Sequence, residues 1–312
     1  MTSEQLNQLT NILASITLFE MMVAIGLGVS FGDVLRVATD WRLVSKAALA
    51  SYVCVPAAAV GLLILFQAQP YAAAGFLIAA VCPGAPYGPP FTGMAKGNVV
   101  ISVGLMVILA GSSALAAPLL LQLLLPFVLQ FLPALPQDDA SLAIDAGKIV
   151  MTLLMAQFVP LCVGLALRQW RSSLADRLRK PANLISVVLN LAMLGLIVYV
   201  QSDMLTDIPV RGFVGMLALV FAGVAAGALL GSGANRSAMV MATSVRNVGV
   251  SLVIVTAAFG GTRAVAAATA FALFQTVVMA LIAMAWGRLT SARAGPRIPK
   301  TSNDKAAAGM AS

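Results

Sequence analysis

The sequence predicts an all-α membrane protein with nine transmembrane helices, arranged as an inverted repeat with two broken, crossing helices. Composition is the first observation: 60% of the 312 residues are hydrophobic and 10% are charged, against roughly 25% charged residues in a soluble domain. The second is the recurrence of apolar runs of about 18 residues or more, each long enough for a membrane-spanning helix. The third is that two of these runs are interrupted in the middle by residues that do not continue a helix.

The apolar runs are separated by connectors that carry most of the charges and helix-breaking residues. The predicted spans cover residues 11–30, 45–67, 72–94, 99–126, 147–167, 184–201, 212–232, 237–259 and 265–287. No positively charged segment precedes the first run, so we interpret it as a retained helix and not as a cleaved signal peptide. Residues 1–289 form one predicted polytopic unit, and residues 290–312, rich in Ala, Gly, Ser and Lys, form a predicted disordered cytoplasmic tail.

Lysine and arginine are distributed unequally between the two sides. With the N-terminus outside, the inner connectors and tail hold fifteen of the nineteen: Arg36, Arg42, Lys46, Lys96, Arg168, Arg171, Arg177, Arg179, Lys180, Arg236, Arg288, Arg293, Arg297, Lys300 and Lys305. The outer connectors hold Lys148, Arg211 and Arg263, and Arg246 falls within a span. The positive-inside rule therefore predicts a multi-pass protein of the cell inner membrane with a cytoplasmic C-terminus. The net charge of +8 faces anionic lipid, and no nucleic-acid partner is predicted.

The first interruption, at residues 82–90, reads Cys-Pro-Gly-Ala-Pro-Tyr-Gly-Pro-Pro. Four prolines and two glycines in nine residues cannot form a continuous α-helix. Broken backbone at membrane depth is tolerated where protein buries it or where it lines an aqueous cavity. Carriers use such discontinuous helices to build substrate sites.

The second interruption lies at residues 241–249, Met-Ala-Thr-Ser-Val-Arg-Asn-Val-Gly. It occupies the middle span of the closing triplet, 212–287, as the first interruption does in the triplet 45–126. The triplets are offset by five spans, and an odd offset inverts their topology. The sequence therefore predicts half-helices that cross near the middle of the membrane.

Arg246 is the strongest candidate for a functional residue. An arginine in the middle of a span costs at least about 2.5–3.5 kcal/mol on insertion scales, so it should face a polar cavity or a counter-charge. One hypothesis places it in an anion-binding cavity. The other pairs it with Glu20, the only other ionisable residue well inside a predicted span. Glu20 is also a candidate for coupling transport to protons.

The remaining chemistry-bearing residues give no sign of an enzyme, a cofactor or a metal site. The chain has no histidine, so metal catalysis and Ser-His-Asp chemistry have no support. Cys54, Cys82 and Cys162 match no zinc or redox spacing. We interpret all three as small apolar residues within spans.

Several short motifs resemble the bile acid:sodium symporter family. Cys82-Pro83-Gly84 and the run Ala-Lys-Gly-Asn-Val at residues 95–99 are similar to the family's Cys-Pro-Gly-Gly and Ala-Arg-Gly-Asn stretches. Arg246-Asn247-Val248-Gly249 resembles its Gln-Asn-Ser-Gly, and Ile25-Gly26-Leu27, with Asp33 six residues later, resembles its Met-Gly-Leu segment and first-loop Asp. The similarity covers about residues 18–286.

The resemblance implies the nine-helix form of a ten-helix fold. A panel domain would comprise about residues 11–30 and 147–201, and a core domain about 45–126 and 212–287. Transport would follow from an elevator or rocking motion of the core against the panel.

The resemblance also implies two sodium sites near the crossing, and here this chain departs from the family. The corresponding positions hold Ser51, Gly88, Pro89, Ser102, Met106, Ala242 and Arg246. Of the side-chain ligands that the resemblance implies, only Ser102 remains, although sodium requires several hard oxygen ligands. In the site that the resemblance implies, two sodium ions and one glutamate carry a net charge of +1. Ala242 and Arg246 together also carry a net charge of +1. A fixed guanidinium is therefore expected to replace the ions and to leave a positive site for an anion.

These observations predict a sodium-independent secondary transporter of an organic anion, a carboxylate of the bile-acid or pantoate kind. The predicted substrate-binding residues are Pro86, Tyr87, Gly88, Ser102, Ser244, Arg246 and Asn247. A sodium-coupled symporter, and an anion channel or sensor on the same fold, stay open as alternatives. A metalloid-efflux function, as in relatives within the same superfamily, also stays open, and Cys82 at the break is the only feature that suggests it. The predicted partners are the small organic anion and the lipid bilayer, with the oligomeric state open between monomer and homodimer.

Overall fold

Fifteen α-helices, joined by short turns, make up the part of the chain that this computed structural model describes, residues 3–132 and 146–293. They are α1 (Ser3–Gly28), α2 (Phe31–Ala38), α3 (Trp41–Leu49), α4 (Val55–Leu65), α5 (Pro70–Val81), α6 (Gly88–Met94), α7 (Val99–Leu129), α8 (Ala146–Leu153), α9 (Val159–Trp170), α10 (Ser172–Val200), α11 (Ser202–Thr206), α12 (Val210–Leu230), α13 (Arg236–Ser244), α14 (Val248–Phe259) and α15 (Arg263–Arg293). Single π-helical turns, Ala50–Cys54 and Leu154–Phe158, join α3 to α4 and α8 to α9.

Eight helical segments within these residues are long and apolar enough to cross a membrane. They are Glu4–Gly28, Trp41–Leu65, Val99–Leu129, Gly147–Trp170, Ser172–Val200, Val210–Leu230, Gly233–Phe259 and Arg263–Ala292. Each corresponds to one predicted span. The remaining predicted span, 72–94, is divided between α5, with 12 residues, and α6, with 7, and neither alone is long enough to cross.

Both predicted interruptions are present, but each is shorter than the sequence suggested. The first covers residues 82–87, because Gly88, Pro89 and Pro90 already belong to α6. Proline is accepted in the first turn of a helix, where no N–H donor is needed. The second covers residues 245–247, and the flanking residues of the predicted segment end α13 or begin α14.

Two other predictions are corrected at helix ends. The predicted connector 168–183 is almost entirely helical, since α9 ends at Trp170 and α10 begins at Ser172. Arg177, Arg179 and Lys180 lie on the exposed first turns of α10. Their charges favour a position outside the apolar layer of the membrane, but charged residues do not end a helix. The predicted tail is helical as far as Arg293, and its residues 294–312 lie outside the described residues.

Close helix crossings depend on glycines. The Cα atoms of Gly26 in α1 and Gly164 in α9 face each other, and a Cβ on Gly26 would lie 2.7 Å from the Gly164 Cα. A Cβ on Gly75 in α5 would lie 2.0 Å from the Ala264 carbonyl oxygen in α15. Such contacts let membrane helices associate through van der Waals packing.

Gly75→Ala tests the α5–α15 crossing. The added methyl group meets backbone and cannot be accommodated by a rotamer change, so overpacking should cost about 1–3 kcal/mol and lower the melting temperature of the purified protein. Gly61→Ala in neighbouring α4 is the matched control, because nothing lies within 4 Å of a Cβ there. Equal melting temperatures for the two variants would contradict the close crossing.

Candidate functional site at the crossing of two broken helices

The two interruptions meet and are joined by Asn247. Its backbone N–H donates to the Cys82 carbonyl at 2.7 Å, and its side-chain Nδ2 donates to the Gly84 carbonyl at 3.2 Å. Its Oδ1 accepts from the Val250 N–H at 3.2 Å and so caps the start of α14. Gly84 has φ +81° and packs against the backbone of Ala110 in α7, where a side chain would collide. The predicted crossing of the broken segments therefore has a specific backbone basis.

Gln275 of α15 holds the unwound backbone at Arg246. The Arg246 N–H donates to Gln275 Oε1 at 3.0 Å, and Gln275 Nε2 donates to the Arg246 carbonyl at 3.0 Å. A single buried amide thus satisfies both backbone groups of a residue that has left the helix. We did not identify Gln275 from the sequence. An amide inside an otherwise apolar span was the available signal, because burying it requires partners.

The Arg246 side chain lies in a cage of backbone carbonyls. The residue is 1% exposed. Its Nη1 lies 3.3 Å from the Ser51 carbonyl oxygen and 3.3 Å from that of Ala80, and its Nη2 donates to the Thr243 carbonyl. These oxygens belong to three separate segments: the π-helical turn before α4, the end of α5 and the end of α13.

Each of these carbonyls lacks an ordinary helical donor for a reason visible in the sequence. Ala80 and Thr243 are in the last turns of α5 and α13, where carbonyls have no intrahelical partner. After Ser51, the Val55 N–H donates to the Ala50 carbonyl instead, and residue 56 is a proline without an N–H. Helix C-termini also carry partial negative charge, and such half-helix ends and unwound carbonyls coordinate cations in carriers. The cage has the chemistry of a cation site, and a guanidinium occupies it.

The alternative that pairs Arg246 with Glu20 is wrong. The ion pairs among the described residues are Arg168–Asp176 and Arg263–Asp207. The half-buried Glu20 carboxylate accepts a hydrogen bond from the Ser186 hydroxyl of α10. Arg246 donates instead to three backbone oxygens, and ionisable residues within membranes pair with backbone carbonyls as well as with counter-charges.

Five other positions that the resemblance assigned to sodium are Gly88 and Ser102, which lie close together, and Pro89, Met106 and Ala242, which have no side-chain oxygen. Gly88 and Ser102 are close together: a Cβ on Gly88 would lie 3.9 Å from the Ser102 hydroxyl oxygen and 4.0 Å from the Met241 carbonyl oxygen. Thr92, which we did not identify from the sequence, places its hydroxyl 2.8 Å from that of Ser102. Met106, Ala242 and Pro89 are also buried. Ala242 packs in an apolar cluster that includes Leu105 and Leu109, and its methyl group offers no ligand oxygen.

The predicted substrate-binding residues differ in accessibility. Ser244, Arg246 and Asn247 are buried within the crossing. Pro86 and Tyr87 are half-buried on the first broken loop. The Tyr87 hydroxyl accepts a 2.7 Å hydrogen bond from Asn190 Nδ2 of α10, which connects this loop to a helix outside the crossing. Asn190 is a further polar residue within a span that we did not identify from the sequence.

The fold and the crossing define a helical membrane protein built around discontinuous helices, as carriers are. The profile of the "Sodium Bile acid symporter family" matches residues 15–208. The chain belongs to this family, and it is a multi-pass membrane protein of a transporter family, not of an enzyme family. The match ends before α12, so the second broken helix and Arg246 lie beyond it.

One relative is a Bacillus subtilis (strain 168) protein named "Uncharacterized sodium-dependent transporter YocS". It is 25% identical over 178 residues, which are 55% of this chain and 50% of the relative. The chain thus matches about half the length of this curated relative.

Arg246→Ala should destabilise the protein by leaving the caged carbonyls without donors, at a cost of about 1–3 kcal/mol for each unsatisfied group. Low-millimolar guanidinium chloride should restore part of the lost melting temperature in the variant but not in the parent, because the free ion offers the same donors. Sodium chloride at equal concentration controls for ionic strength.

The matched control for this variant is Arg288→Ala, which removes an exposed arginine of α15. It should melt like the parent and should not respond to guanidinium. An Arg246→Ala protein as stable as the parent, or an equal guanidinium response in both variants, would show that the cage does not depend on this side chain.

Proposed function

We propose that this protein is a secondary transporter of an organic anion and that it operates without sodium coupling. The observation that carries the proposal is the position of the Arg246 guanidinium, which fills a carbonyl cage where two half-helices end. In this proposal Arg246 supplies, as part of the chain, the positive charge that bound coupling ions would supply in a sodium-coupled member. The protein then needs no bound cation to hold its crossing together.

The side chains around the crossing also favour sodium independence. Gly88, Pro89 and Ala242 have no side-chain oxygen, and sodium requires several hard oxygen ligands. The Ser102 hydroxyl is engaged by Thr92. The Ser51 hydroxyl oxygen, buried and without a hydrogen-bond partner among the described residues, is a remaining candidate ligand, but one hydroxyl does not form a cage.

The proposed substrate is a carboxylate of the bile-acid or pantoate kind. The charge of Arg246 would attract it, and its contacts would come from Ser244, Asn247, Ser102 and the first broken loop, Pro86–Gly88. Because carbonyls already occupy guanidinium donors, Arg246 acts in this proposal mainly through its charge. A substrate bound at the first broken loop would then alter the hydrogen bond between Tyr87 and Asn190 and so affect α10.

Panel and core domains are proposed as the moving parts. The proposal is supported by the packing of α1 mainly against α9 and α10, while α4, α5 and α7 pack with one another and with α12 to α15. The broken helices α5–α6 and α13–α14 occupy corresponding places in two triplets, as an inverted repeat requires. In this arrangement α5 and α6 together form one span, the third of nine.

A sodium-coupled symporter is the second candidate. The name of the family and that of the Bacillus subtilis relative both refer to sodium. Such a mechanism would have to use backbone carbonyls and the Ser51 hydroxyl as ligands, with Arg246 displaced from its cage.

Transport in proteoliposomes separates the two candidates. Uptake of a radiolabelled carboxylate that stabilises the purified protein should saturate, should show counterflow, and should be equal in sodium and choline buffers. Arg246→Ala should lose most of the uptake, and Arg246→Lys should retain part of it as a point charge without the planar fork. A saturable stimulation by sodium would favour the second candidate, and flux without counterflow would indicate a channel.

We also propose an outside N-terminus and a cytoplasmic C-terminus, from the unequal distribution of lysine and arginine. In a variant without Cys54, Cys82 and Cys162, a cysteine at exposed Arg177 should resist an impermeant thiol reagent in intact cells. A cysteine at exposed Asp203 should react. The reverse pattern would invert the orientation, and equal labelling of both positions would contradict the proposed number of spans.

A further inference from the structure

An apolar cavity of about 350 Å³ lies away from the crossing, where α4 ends and α5, α12 and α15 begin. This volume is within the range of pockets that hold small ligands or parts of larger ones. Leu63, Phe76 and Met216 contribute to its walls. Phe76 and Met216 each lie six residues after the first residue of their helices, so the cavity reaches roughly 9 Å below the helix starts at 1.5 Å per residue.

The rim of the cavity is polar and carries a net positive charge. Arg263 donates from Nη1 to Gln69 Oε1 at 2.6 Å, and its Nη2 lies 3.8 Å from Asp207 Oδ2. Arg211, also on the rim, is exposed, and its side chain has no hydrogen bond or ion pair within the described residues. Two guanidinium groups and one carboxylate leave a charge of +1 above an apolar interior.

The surroundings of the cavity are those of a lipid-facing surface. Leu65, 72% exposed, and Val210, 79% exposed, flank the lining residues along the chain, and large apolar side chains at the ends of membrane helices face lipid. In the orientation proposed above, the helix starts that frame the rim lie at the level of the outer headgroups, where a guanidinium can bind a lipid phosphate.

We infer that this cavity is a binding site for an anionic phospholipid, with the phosphate at Arg211 and Arg263 and the first part of one acyl chain between α5, α12 and α15. Asp207 keeps Arg263 at the rim and, by its own charge, disfavours a second anion. The site is separate from the crossing, and it does not depend on the substrate or on the coupling ion. A lipid there would connect both triplets of the core, because α4 and α5 belong to the first and α12 and α15 to the second.

A thermal-shift titration of the purified full chain in detergent tests the site. Dioctanoyl phosphatidylglycerol should raise the melting temperature in a saturable manner, since a ligand stabilises the state that it binds. Dioctanoyl phosphatidylcholine should have a much smaller effect, and inorganic phosphate none. Arg211→Gln should weaken the apparent affinity for phosphatidylglycerol about fivefold, as expected for one arginine near anionic lipid.

Further variants separate the headgroup from the acyl chain. Arg263→Gln should weaken the binding of phosphatidylglycerol at least as much as Arg211→Gln does. Arg211→Gln is the cleaner variant, because it disturbs no side-chain hydrogen bond within the described residues. Ala267→Leu, which fills part of the cavity wall, should weaken it with the rim charges intact. Arg288→Gln, at the other end of α15, should titrate like the parent. The inference is overturned if phosphatidylcholine or inorganic phosphate stabilises as well as phosphatidylglycerol, or if Arg211→Gln and Ala267→Leu both titrate like the parent.

Discussion

Broken helices leave backbone carbonyls without donors at membrane depth, and satisfying those carbonyls is the constraint on which the crossing depends. Water satisfies such groups in a soluble protein, whereas hydrocarbon offers nothing and each unpaired group costs several kcal/mol. Arg246 meets the constraint by donating to carbonyls of three segments at once. A guanidinium suits this role because it presents five donors in a fixed plane and keeps its charge when buried.

Neutral amides complete the crossing. Gln275 satisfies the backbone of Arg246 itself, and Asn247 ties the second interruption to the carbonyls of Cys82 and Gly84. Together with Arg246, these residues connect α5, α13, α14 and α15, the first interruption and the turn before α4. The crossing is therefore a connected polar network inside an apolar core, and it is expected to behave as one rigid unit. Contact with α10 comes from the more exposed Tyr87, at the edge of the network.

The position of Arg246 suggests why most of the sodium ligands implied by the family resemblance are absent from this chain. A carrier that couples transport to sodium can use bound ions to neutralise the half-helix ends at its crossing. In the proposed mechanism the covalent structure supplies the charge permanently, so the crossing would need no bound ion. A fixed charge cannot bind and dissociate in each cycle, which is the physical reason to expect transport uncoupled from sodium. The energy for accumulation would then have to come from another gradient or from the substrate gradient itself.

The sequence by itself determined the helical membrane class, the approximate spans, the positions of both interruptions and the presence of an arginine inside the second one. These features depend on local properties: apolar run length, proline and glycine content, and the cost of a charge in hydrocarbon. The extents of α6 and α10 were less predictable, because proline is accepted in a first helical turn and charged residues continue a helix beyond the membrane. Only the tertiary structure decided what Arg246 contacts. Its partners are the backbone oxygens of Ser51, Ala80 and Thr243, up to 195 positions away in the chain. Proline and helix ends mark where carbonyls lack donors, but only the packing of the helices decides which of these carbonyls meet one guanidinium.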